Sequence, residues 1–154
     1  MAGSQIRLGG ARGLRDRRGP VHGGSFLRER RILFDCTRAE FPRIFVHEVF
    51  HFVWLRLGNP ARLSFESVIA REIENGVRGE LGWPAESRKI KLTRADLRDR
   101  TRRWREYCCE AFCDTAAWMY SCIAKHPEFT LGTSWRRKRR EWFEQALGGR
   151  ELPI

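Results

Sequence analysis

The chain has 154 residues, 42% of them hydrophobic, with ten Phe and six Trp, which is enough for one compact domain with a real core. Its net charge of +11 comes nearly all from arginine; that points to acidic neighbours such as nucleic acid or anionic protein surfaces, the plainer account being a genome that favours Arg codons. The five cysteines are odd in number and four lie between 108 and 122, which excludes the even, spaced framework of a small secreted protein; with no apolar leader and no membrane-length run, the chain reads as soluble and cytoplasmic.

Residues 1–24 are rich in Gly and Arg and read as a flexible basic arm, with order beginning near Phe26. RRILFDC, residues 30–36, reads as a short strand. FPRIFVHEVFHFVWLRLG, residues 41–58, is apolar on nearly every face and predicts a buried helix, with Pro42 in its first turn and Gly58 as its stop. Asn59-Pro60 opens a second helix running to about Val77. RGELGWPAESRKIKL, residues 78–92, reads as a loop with one possible strand at KIKL. Thr93 and Asp96 form a capping box for a long helix from Arg94 to about Ala124, closed by His126-Pro127, and a last helix runs from Ser134 to Gly148. The fold class expected is α+β, mostly helical, as one domain over residues 25–150 with a small sheet or hairpin.

The chemistry lies in HEVFH, residues 47–51. At positions i and i+4 of a helix, His47 and His51 share a face and can bind one metal ion through imidazole nitrogens, while Glu48 stands close enough to take a proton from a water on that metal. Two histidines do not complete a zinc site, so a third ligand must come from elsewhere. The longer metzincin pattern fails, because Trp54 and Leu57 stand where Gly and His are needed. REYCCEAFCDTAAW, residues 105–118, carries Glu106, Glu110 and Asp114 at i, i+4 and i+8, a carboxylate stripe among small and apolar residues that wants a cation. Pairing with Arg102 and Arg103 accounts for Glu106 well, and for Glu110 and Asp114 poorly.

HEVFH followed by EAFCD resembles the gluzincin type of zinc metallopeptidase, whose downstream helix carries ExxxD. The resemblance covers about 25 residues in two patches. In size the chain is closer to minimal zincins and to the small proteases that cleave phage repressors. The resemblance implies a zincin-like fold, Zn2+ as cofactor and a peptide or protein substrate. It implies Glu110 as third ligand, with Glu106 the alternative one turn earlier, and Asp114 as the partner that orients His47. It makes Glu48 the general base, and Tyr107, Tyr120 or His126 the candidate oxyanion donor. An edge strand before the active helix would bind extended substrate, and ERRILFDC stands in that place.

Cys109 and Cys113, at i,i+4, are possible thiolate ligands, although core packing explains them more simply. RRKRR, residues 136–140, with Trp135, Trp142 and Phe143 beside it, could grip phosphates; a solvated helix face over buried aromatics is the simpler account. The rival to a peptidase is therefore a basic nucleic-acid-associated protein with a structural or vestigial metal site.

Overall fold

The computed structural model describes residues 5–17, 19–149, 151–152 and 154. Among these residues five short strands precede six helices: β1 (Arg7–Gly10), β2 (Arg15–Asp16), β3 (Gly19–Pro20), β4 (Gly23–Phe26), β5 (Arg31–Phe34), α1 (Phe41–Arg56), α2 (Asn59–Glu74), α3 (Trp83–Lys89), α4 (Arg94–Arg98), α5 (Arg102–Tyr120) and α6 (Thr133–Leu147). The architecture is α+β and mostly helical. Among the described residues no helix is long and apolar enough to cross a membrane.

The strand read in RRILFDC is β5, and it is the centre of a three-stranded sheet ordered β1-β5-β4. β1 lies parallel to it, with Leu8 opposite Ile32, and β4 antiparallel, with Ser25 opposite Ile32. Two expectations change here. Where a flexible arm is expected over 1–24, residues 7–10, 15–16, 19–20 and 23–26 form four strands, because backbone ladders need no apolar side chains to form; residues 1–4 and 18 of that arm lie outside the described residues. β5 is also not the free edge. With β1 and β4 on its flanks, the edge beside α1 belongs to β4.

α1 starts with Pro in its first turn, as its sequence predicts, and ends in an extended Leu57; Gly58 caps α2 instead of ending α1 as an αL stop. The helix lies between two apolar clusters. Phe52 meets Ile32 and Phe34 of the sheet, while Phe50 and Val53 join Phe65, Ile69, Phe112, Trp142 and Phe143 in the main core. The expected loop over 78–92 contains helix α3 and no strand. Pro84 suits its first turn, and Ala85 is wholly buried.

The long helix expected from Arg94 is two helices. The Thr93–Asp96 capping box is present, but α4 stops after five residues at Arg98. Arg100 takes a left-handed φ of 45° and forms a two-pronged bond to Glu66, at 2.9 and 3.0 Å. Thr101 then caps α5, which ends at Tyr120, ahead of a left-handed Cys122.

Beside RRKRR, Trp142 and Phe143 do face the core, but within the run Arg139 departs from the solvated face: it is wholly buried. Its guanidinium holds Glu72 from α2 and Glu80 from the segment before α3.

Candidate metal centre

α1 and α5 pack side by side, and their facing sides carry the polar groups. One helical turn stacks His47 and His51, with their Nε2 atoms 3.2 Å apart. Glu110 enters from α5: its Oε2 is 3.3 Å from Nε2 of His47 and 3.7 Å from Nε2 of His51. Ligands about 2.0–2.1 Å from one zinc ion, at tetrahedral angles, stand about 3.3 Å apart. The triangle of 3.2, 3.3 and 3.7 Å thus has the size of one tetrahedral face. The donors are two imidazoles and a carboxylate, a set that suits zinc and leaves a fourth position for water.

Asp114, one turn beyond Glu110, is almost fully buried. Its Oδ1 is 2.8 Å from Nδ1 of His47, so the other nitrogen, Nε2, is turned toward Glu110 and His51. Its Oδ2 accepts the Ala85 amide of α3 at 3.0 Å. The α3 terminus is anchored in turn by Glu128, which accepts the Trp83 amide and pairs with Arg43 of α1.

Glu48 is buried on the next side of α1, and its Oε2 accepts a short hydrogen bond from the Ser25 hydroxyl of β4. The same hydroxyl is 2.8 Å from the Glu48 carbonyl. β4 can come this close because position 23 is glycine: a Cβ there would fall 2.6 Å from Ile44 and 2.9 Å from Oε1 of Glu48. The other oxygen of Glu110, Oε1, receives Arg88 of α3 at 2.7 Å.

The charges follow from this packing. Burial pushes the Glu110 carboxyl up, but the hydrogen bond to His47 and the charges of His51, His47 and Arg88 outweigh it and hold it near 2. Burial pushes His47 down, but Asp114, Glu110 and Glu48 carry it well above its ordinary value. His51 likewise overcomes its burial and is raised to about 9 by Cys109 and Glu110. Burial raises Asp114. Protons on the imidazoles thus balance the carboxylates, and a divalent cation would take over that role as it released them.

Glu106 is not brought to this cluster; it lies one turn earlier and pairs with Arg102 at 2.8 Å. None of the three expected oxyanion donors lines the cleft around the cluster. Tyr107 is buried against Glu80, Tyr120 stacks on Phe50, and His126 pairs with Glu40. Ser25 and Arg88, which sequence reasoning missed, do line it. Neither sits in a periodic pattern, so only the approach of β4 and α3 reveals them. Together with Trp83, Pro84, Gly23–Phe26 and the site residues they bound a cleft of about 690 Å³.

The glycine at 82 can be tested directly. Its backbone, at φ −178° and ψ 154°, is open to any residue, yet a Cβ there would lie 2.4 Å from the Asp114 carboxyl. Gly82→Ala is therefore expected to push Asp114 off His47 and weaken zinc binding about 10- to 100-fold without unfolding the chain. A competition titration against a coloured zinc chelator measures this. Unchanged affinity would show that Asp114 does not set the metal site.

Comparison of the chain with protein-family models, with curated proteins and with solved structures gives no match.

Proposed function

We propose that the protein is a small zincin-like zinc metallopeptidase of gluzincin type. The observation that carries this reading is the triangle of His47, His51 and Glu110 beside a buried Glu48 at the foot of an open cleft. His47, His51 and Glu110 would hold the ion, and Asp114 fixes the His47 ring. A bound zinc would supply Lewis acidity, polarising the substrate carbonyl and making a water acidic near neutral pH. Glu48 is held by Ser25, accepts the proton from the attacking water and passes it to the leaving amine. Arg88 is the cationic donor in the cleft for the developing oxyanion, in place of the tyrosines and His126. The free edge of β4, with Gly23 and Gly24 offering backbone without side chains, suits an extended peptide added as a further strand.

Among the described residues the triangle offers three protein ligands rather than four, which favours catalysis over a purely structural ion. The test is metal-dependent hydrolysis of a quenched fluorescent peptide library. Zinc-loaded protein is expected to carry about one zinc per chain and cleave the library; a chelator should stop cleavage and added zinc restore it. His47→Ala is expected to lose both metal and activity. Zinc bound at full stoichiometry by folded His47→Ala would move the ion elsewhere, and cleavage unaffected by chelation would remove the metal from the reaction.

A further inference from the structure

We infer that Cys109, Cys113 and Nδ1 of His51 form a second seat, for a soft thiophilic cation of the Cu(I) or Cd(II) class, which shares His51 with the first cluster. The two thiols lie one turn apart on α5, and the three donor atoms are all within 4.8 Å of one another. Sγ of Cys109 is 3.6 Å from Nδ1 of His51, on the ring side opposite the Nε2 that meets His47 and Glu110. With the lengths zinc takes, about 2.3 Å to sulfur and 2.0 Å to nitrogen, two such ligands at a tetrahedral angle stand about 3.5 Å apart, close to the separation here. Core packing accounts for Cys113, which is fully buried; it does not account for a half-buried thiol aimed at a ring nitrogen. Both cysteines are free thiols, and a donor set of two sulfurs and one imidazole selects soft ions over hard ones.

With His51 a neutral imidazole, the two seats exclude each other through the ring. A neutral imidazole has one nitrogen with a free lone pair and one that carries hydrogen. An ion on Nδ1 puts the hydrogen on Nε2 and takes His51 away from His47 and Glu110; an ion on Nε2 does the reverse. The two thiols give up their protons to the solvent as a soft ion binds, so no oxidant or reductant is needed.

The seat stands on its own geometry and is read without any activity assay, so it and the peptidase reading can fail separately. The experiment is a titration of reduced, metal-free full-length protein with Cd(II), following the ultraviolet thiolate-to-cadmium charge-transfer band, to which His, His and Glu ligands do not contribute. The band is expected to saturate at about one cadmium per chain. It is expected to persist in Cys36→Ser/Cys122→Ser and to vanish in Cys109→Ser/Cys113→Ser. If the latter fails to fold, as judged by thermal melting, Cys109→Ala, which removes only the half-buried thiol, must still diminish it. No band in the wild type, an undiminished band without Cys109, or a band lost in a folded His47→Ala chain would each overturn the seat.

Discussion

Glu48→Gln is expected to lower peptide hydrolysis by about 10²- to 10⁴-fold while leaving zinc content unchanged. The substitution is nearly isosteric, and its amide oxygen can still accept the hydrogen bond that Ser25 Oγ gives the carboxylate. What it loses is the ability to take up a proton. The side chain stands outside the triangle of His47, His51 and Glu110, so an ion held there would have no reason to leave. Initial rates on a cleaved peptide, set beside elemental analysis of the same preparations, measure both quantities. A variant that cleaves at the wild-type rate would end the role of Glu48 as base. A variant that has lost its zinc would make it a structural group.

The second large effect lies away from the cleft. Arg139→Met is expected to destabilise the fold by about 3–5 kcal/mol, because it leaves charged carboxylates buried without their partner. Arg139 and the side chains of Glu72 and Glu80 are all fully buried. The guanidinium spans both carboxylates at 2.6–3.0 Å and also reaches Thr115. Glu80 takes further bonds from Tyr107 and Lys89. A loss of that size is a large share of the roughly 5–15 kcal/mol by which domains are stable. Urea denaturation of wild type, Arg139→Met and Arg137→Met measures it. The exposed Arg137 should leave the midpoint almost unmoved, and equal midpoints for all three would refute the buried network. The pH dependence has a definite sign. Burial raises the Glu80 carboxyl, but Arg139 and Lys89 outweigh it, so its folded value lies below the ordinary 4.5. Its contribution is then complete above 4.5 and drains away as pH falls through the lower folded value. Acid unfolding should therefore begin below 4.5, and Arg139→Met should flatten that limb.

The sequence made some parts of this molecule plain and hid others for physical reasons. The α1 helix was legible because one helical turn alone brings His47 and His51 together, whatever surrounds them. Glu110 and Asp114 were legible as a stripe with no basic partner along α5, though the aim of Asp114 at His47 rests on residues 67 apart in sequence. The break between α4 and α5 carries neither Gly nor Pro; it depends on Arg100 reaching Glu66 across the fold. The N-terminal strands were opaque because glycine-rich chain pairs through backbone groups, which leave no hydrophobic alternation to read. Arg139 was hidden among four basic neighbours, of which at least Arg137, Lys138 and Arg140 face solvent.

The sheet and the helices are held unequally. Among the described residues three buried side chains, Ile32, Phe34 and Phe52, anchor the sheet's core, against sixteen in the main helical cluster. β4 is an outer strand made of Gly, Gly, Ser and Phe, with no fully buried residue. Local opening costs least where few apolar contacts must be broken, so β4 is expected to detach before α1 and α5 part. Such a detachment would remove the Ser25 hydroxyl from Glu48 and leave in place His47, His51 and Glu110, which lie on α1 and α5. Two properties of the same few ångströms would thus be decoupled: retention of an ion would follow the stability of the whole helical core, and the setting of Glu48 the lifetime of one four-residue strand.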